Sequence, residues 1–235
     1  MRETTAPAAP VFELPPLLAI PLLLGLSALL SLTGLGRYGL WPPDEPRYAE
    51  VAREMMQSGD YLVPRVNGRL YQEKPPLMFW LVSLASLPTG DVTETTARIP
   101  AVLSALGVVL LTYLLARAMY GNTTAFIVGL VLCTTQRFWW EGRVLQLDML
   151  LTFFMTGAMF SLWQWHTQRQ PRHLVTLYLC IAGGALTKGP PALIFPVLAM
   201  SPACSVCLHS ASRWEFFPHS ITTSPHGSSV RRFAP

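Results

Sequence analysis

The chain has 235 residues, of which 51% are hydrophobic and only 13% charged, and its mean hydropathy is +0.37. A soluble domain carries about 25% charged residues, so the composition argues against a water-soluble globular enzyme and for a polytopic membrane protein. The +4 balance comes from 15 arginines and 2 lysines scattered without a basic run, which argues against nucleic acid as a partner.

Residues 1–13 are expected to form a cytoplasmic N-terminus. An apolar stretch from Leu14 to Leu35 follows. It exceeds the apolar core of a signal peptide and lacks a small-residue cleavage site, so 14–36 is assigned to a first transmembrane helix, disturbed by Pro15, Pro16 and Pro21. Further apolar stretches run Ile99–Ala116, Thr124–Trp140, Met149–Trp165 and Leu174–Thr187, the last resuming after Pro190-Pro191 to Met200. Between the first two lies a hydrophilic section, Arg37–Arg98, with eight of the thirteen acids. Its one apolar segment, Leu77–Pro88, is about 18 Å long as a helix, too short to span a bilayer. It is expected to dip into the membrane surface and return.

That choice fixes a topology. The connection Arg117–Thr123 and the turn His166–His173 lie inside, with Arg117, Arg169 and Arg172 and no acid, as the positive-inside rule favours. Arg37–Arg98, Glu141–Asp148 and Lys188–Pro191 lie outside. Residues 37–98 thus form an outer loop, 99–200 the further spans, and 201–235 a Ser-, Pro- and His-rich tail. The tail interrupts a span about half-way, which would strand backbone groups in lipid. It is therefore expected to be out of frame or otherwise foreign, and the chain a fragment without transfer activity of its own. Cys133 and Cys180 sit in apolar stretches as small hydrophobes. Cys204-x-x-Cys207 with His209 is too weak a pattern for a metal site.

The outer loop carries the chemistry. In "WPPDEPRYAEVAREMMQSGD", Tyr48, Val51, Ala52, Met55 and Met56 share one helical face. Pro46 suits the helix start and Gly59 its stop, so an amphipathic interfacial helix is predicted. Asp44 or Glu45 could cap it; capping uses one acid, and two are present. Asn67-Gly68 between short β-prone runs predicts a hairpin that returns Tyr71, Glu73 and Lys74 toward the membrane. Glu73 and Lys74 could equally be a surface pair of little consequence. Asp148, at the start of a span, reads as a helix cap or a site acid; Glu141 and Arg143 lie one loop away. Lys188 sits where a helix breaks at Gly-Pro-Pro. If the topology holds, Asp44, Glu45, Glu73, Asp148, Lys74, Arg143 and Lys188 line one membrane surface. Cations would hold a lipid phosphate as leaving group, while a carboxylate activates the attacking oxygen or holds a divalent metal.

"WPPDEPRYAEVAREMMQSGDYLVPRVNGRLYQEKPPLMFWLVSLAS", "ARIPAVLSALGVVLLTYLLARAMYG", "LQLDMLLTFF" and "LTKGP" resemble, in order and over about Trp41 to Pro196, the N-terminal part of bacterial lipid-phosphate-dependent membrane glycosyltransferases of the GT-C type. These are relatives of protein O-mannosyltransferases, and the nearest branch resembles the aminoarabinose transferase acting on lipid A. The resemblance implies an all-α polytopic GT-C module in the bacterial inner membrane with its active-site loop periplasmic. It implies a polyprenyl-phosphate sugar donor, a lipid A-like or protein acceptor, and no organic cofactor. On its motifs Asp44 is the principal acid, with Glu45 beside it and Asp148 as a second-loop acid. Lys74 falls at the donor phosphate, with Arg143 and Lys188 as further candidates on the same rim; Tyr48 and Tyr71 fall at the cavity, and Glu73 is a possible ligand of a divalent metal. A transporter or lipid flippase is the alternative, but such proteins place polar groups near the midplane. A non-catalytic membrane-assembly subunit would leave the paired acids unexplained.

Overall fold

The structure, a computed structural model, describes residues 15–199. The expected cytoplasmic segment 1–13 and the tail 201–235, with Cys204, Cys207 and His209, lie outside the described residues. Among the described residues there are nine helices and one hairpin.

Helix α1, Pro16–Leu32, starts on proline and buries Ala19, Leu23, Ser27 and Ser31, one stripe at intervals of four. It ends four residues short of the expected boundary, because Gly34 turns the chain at φ 70°. Helix α2, Asp44–Ser58, begins two residues before Pro46, so both acids lie in its first turn and neither side chain caps it. Its apolar face packs inward and Gly59 stops it at φ 71°, as predicted. Strands β1, Arg65–Val66, and β2, Arg69–Leu70, pair antiparallel around Asn67 and Gly68 at φ 52° and 72°, the two positive φ values of a type I′ turn. The Glu54 carboxylate on α2 accepts the Gly68 N–H at 3.2 Å and seats the hairpin.

Helix α3, Leu77–Ser86, is the short apolar element expected after the double proline. It lies on α2 and α4. Trp80 Nε1 donates to the Tyr61 carbonyl (2.7 Å), Ser83 to that of Ala52 (3.2 Å) and Ser86 to Thr96 (2.8 Å). Helix α4, Glu94–Tyr120, opens five residues before the expected Ile99 because Thr93 and Thr96 form a reciprocal cap. Arg98, assigned above to the loop, is therefore helical. The expected span Thr124–Trp140 is two elements: α5, Asn122–Thr134, and α6, Gln136–Glu141. The Thr134 and Thr135 hydroxyls bond back to Leu130 and Val131 carbonyls at 2.9 and 2.7 Å, and that competition ends the helix. Helices α7, Leu147–Gln168, α8, Pro171–Lys188, and α9, Pro191–Ala199, complete the bundle.

Among the described residues α4 is the one helix long and apolar enough to cross a membrane; α1 and α5 are shorter and apolar. Leu17, Leu29, Leu103, Val131 and Leu179 nevertheless stand exposed on four helices, an outer surface that water would not tolerate at this extent.

Helices α7 and α8 approach most closely at Gly183, where an added Cβ would sit 2.3 Å from Phe154 Cε1. Gly183→Ala is expected to cost about 1–3 kcal/mol by overpacking. At exposed Gly25 nothing lies within 4 Å, and Gly25→Ala should hold or raise stability. Thermal unfolding in detergent compares the two; equal melting would contradict this packing.

Candidate active site

The outer loop is organised from within by Glu45. Its position in the first turn of α2 points it into the protein, where it is 2% exposed. Arg98 reaches it as a fork, Nε at 3.0 Å and Nη2 at 2.7 Å. The Trp41 N–H (2.6 Å) and the Leu145 N–H complete four donors, as many as a carboxylate accepts. Arg98 spends its other hydrogens on the carbonyls of Leu35 (2.7 Å), Tyr38 (3.0 Å) and Gly39 (3.0 Å), so all five are used. Burial pushes the Glu45 carboxyl up, but the Arg98 guanidinium and the two backbone N–H groups outweigh it and hold it below the ordinary value. Glu45, expected among the reacting acids, has no lone pair left for a substrate. In this geometry it ties α2 to Arg98 of α4 and to the Leu145 amide.

Arg143 is likewise turned away. It donates to the carbonyls of Leu30 (2.7 Å) and Thr33 (2.6 Å) and stacks over Trp139 at 4.8 Å. It closes the C-terminal end of α1, as cations do at helix C-termini, and is not gathered with the other cations expected to hold a phosphate.

The neighbouring acid, Asp44, lies one position earlier on α2 and faces outward, 42% exposed in its side chain. Arg47 stands 3.9 Å from it and 3.5 Å from Glu73, bridging α2 to the segment that follows the hairpin. The Tyr71 hydroxyl donates to Glu73 at 3.4 Å. Tyr48 and Tyr71 both pack on Phe79, with ring centroids 5.9 and 6.0 Å away. Burial pushes both phenols up, and the charges of Asp44 and Asp148 push Tyr48 further. Tyr48 is thus a neutral hydroxyl that feels both loop acids. Asp148, in the first turn of α7, pairs with Lys188 at the end of α8, both partly exposed. Lys74 is half-buried and makes no ion pair or hydrogen bond among the described residues.

Asp44, Tyr48, Tyr71 and Glu73 therefore form one cluster, with the Asp148–Lys188 pair close enough to act on Tyr48. The two loop acids lie at the same end of the bundle, because Glu45 joins α2 to Leu145, three residues before Asp148. Arg47 and Arg98 were missed as site residues in the sequence. Arg47 had a local signal, its i,i+3 spacing from Asp44; Arg98, 53 residues from Glu45, had none. Glu73 alone makes a poor metal site: its carboxylate faces a guanidinium, and among the described residues no three of His, Cys, Asp or Glu converge.

The sequence profile of the dolichyl-phosphate-mannose-protein mannosyltransferase family matches residues 17–208, which include every one of these side chains. The chain belongs to that family. Relatives in this mannosyltransferase family include the undecaprenyl phosphate-alpha-4-amino-4-deoxy-L-arabinose arabinosyl transferase of Edwardsiella ictaluri, 37% identical over 168 residues, covering 69% of this chain and 30% of the relative. The corresponding enzyme of Pectobacterium carotovorum is 36% identical over 172 residues, covering 71% and 31%. The crystal structure of ArnT from Cupriavidus metallidurans bound to undecaprenyl phosphate superimposes with a TM-score of 0.70 at 25% identity, over 82% of this chain and 38% of that one. The chain thus spans about a third of the length of its curated relatives. Its fold is the all-α GT-C module of this mannosyltransferase family, and it is a membrane protein.

Proposed function

We propose that the chain carries the outer-loop part of a glycosyltransferase site that moves a sugar from a polyprenyl-phosphate donor to a lipid A-like lipid or a protein. The donor class follows the names of the arabinosyl transferase relatives and the undecaprenyl phosphate bound to ArnT. The proposed setting is a multi-pass protein of the bacterial inner membrane, with the loop of residues 37–98 facing the periplasm. The observation that carries the reading is the rim itself: a half-buried, unpaired Lys74 adjoining an exposed carboxylate cluster, over a floor locked by Glu45 and Arg98.

Lys74 takes the donor phosphate as a charge-assisted partner, and Lys188, paired with Asp148, shares that role. The bond between the sugar's anomeric carbon and the phosphate oxygen breaks, and the phosphate leaves with the electron pair. The acceptor oxygen forms the new bond to that carbon. A hydroxyl acceptor gives its proton to Asp44; an anionic phosphate acceptor needs only orientation by Asp44. Tyr48 and Tyr71 shape the cavity as neutral hydroxyls.

Binding of undecaprenyl phosphate to the purified chain in detergent tests the donor half. Lys74→Gln is expected to weaken it about 10–100-fold, the worth of one hydrogen bond to a charged group. Arg169→Gln, at the far end of α7, should leave binding unchanged. Equal affinity of Lys74→Gln and wild type would sink the reading.

A further inference from the structure

A second polar feature lies at the same end of the bundle, apart from the rim. The connection between α1 and α2 exposes Arg37, Tyr38 (73% exposed) and Trp41 (65%). Helix α6 exposes Arg137 and Trp140 beside it, and Trp41 meets Trp140 edge-on with centroids 6.1 Å apart. Leu29 and Leu32 on the last turn of α1 and Val131 on α5 are exposed immediately beneath. The aromatic rings therefore sit at the upper edge of an apolar wall, the level at which Trp and Tyr occupy a lipid–water boundary.

Charge decides what sits there. Arg98 is balanced by Glu45, and Arg137 pairs with Glu141. Arg143 bonds only backbone carbonyls, and Arg37 makes no ion pair among the described residues. Asp44, the next acid along, is turned to Arg47. Two arginines are left without an acid beside these indoles. We propose that this patch is a binding seat for an anionic phospholipid, its phosphate on Arg37 and Arg143 and its upper chain along the Trp41–Trp140 pair and the α1 leucines. Arg37, Arg143 and the Trp41 and Trp140 side chains share no hydrogen bond or ion pair with Asp44, Glu73, Lys74 or Asp148 among the described residues; Trp41 meets the floor of the rim through its backbone, bonded to Glu45. The seat is therefore separate from the donor rim and does not depend on the transferase reading.

Photo-crosslinking in proteoliposomes tests it. The full chain is reconstituted with phosphatidylglycerol or phosphatidylcholine carrying a diazirine near the headgroup, at equal mole fraction, and adducts are mapped by mass spectrometry. Wild type is expected to label residues 36–41 and 136–141 several-fold more with phosphatidylglycerol. Arg37→Gln should cut that excess about fivefold, the weight of one basic residue at an anionic surface, and Arg37→Glu should abolish it. Arg169→Gln, at the far end of α7, should leave labelling of the patch unchanged. Equal labelling by the two lipids overturns the proposal. So does displacement of the adducts by a small mole fraction of undecaprenyl phosphate, which would assign the patch to the donor's path instead.

Discussion

Asp44→Asn is expected to lower sugar transfer by about 10²–10⁴-fold, the range of a positioned acid–base group, with membrane abundance unchanged. The two halves of that statement come from one placement. Asp44 is 42% exposed and its only ion-pair partner among the described residues is Arg47 at 3.9 Å, an exposed contact of little weight for stability. Asparagine keeps its shape and removes its charge. Glu45→Gln, one residue later, should behave differently, reducing abundance and activity together, because its carboxylate is buried under four donors. The assay is transfer from a radiolabelled undecaprenyl-phosphate-linked sugar by the full-length gene product, with immunodetection of membrane protein. An Asp44→Asn rate within twofold of wild type would remove Asp44 from the chemistry.

Arg98→Met should destabilise the protein by about 3–5 kcal/mol, the cost of stranding one member of a buried ion pair. It leaves Glu45 charged at 2% exposure and strips the carbonyls of Leu35, Tyr38 and Gly39 of their donor. Arg98→Lys should recover only part, since an ammonium has three donors and no planar fork. Glu45→Gln with Arg98→Met should cost less than the sum of the single changes. The pH response follows by sign. In wild type the native Glu45 carboxyl lies below its ordinary value of 4.5, so its contribution is complete above that value and fades as pH falls through the lower native one. Without Arg98, burial is the dominant influence and raises the carboxyl. The variant should then lose further stability as pH climbs from 4.5 toward neutrality. Thermal unfolding across that range measures both, and parallel pH curves for the two proteins would refute the buried pair.

Local chemistry was readable in the sequence wherever a few neighbouring residues set the outcome. Asn67-Gly68 announced its turn, Gly59 its helix stop, and the apolar stub after Pro75-Pro76 its shortness. The choice between Asp44 and Glu45 was not readable, because two adjacent positions on a helix point about 100° apart and the chain alone does not say which one faces inward. Arg98 was misplaced because its helix begins at a threonine cap five residues earlier than the apolar run. Arg143 was expected beside Lys74 and instead meets the Leu30 and Thr33 carbonyls, because a guanidinium serves a helix end as well as it serves a phosphate. The break at Thr135 was hidden inside a stretch apolar enough to read as continuous.

The link from Glu45 to the Leu145 amide spans 100 residues. Ribosomes add about 5–20 residues per second, so the carboxylate emerges on the order of 5–20 s before its last partner. During that interval the outer loop has no finished floor, however complete its own segment is. Biogenesis therefore imposes a sequence of events: the loop matures only after α3 to α6 have been made, and a nascent chain stalled before them leaves Glu45 without three of its four donors.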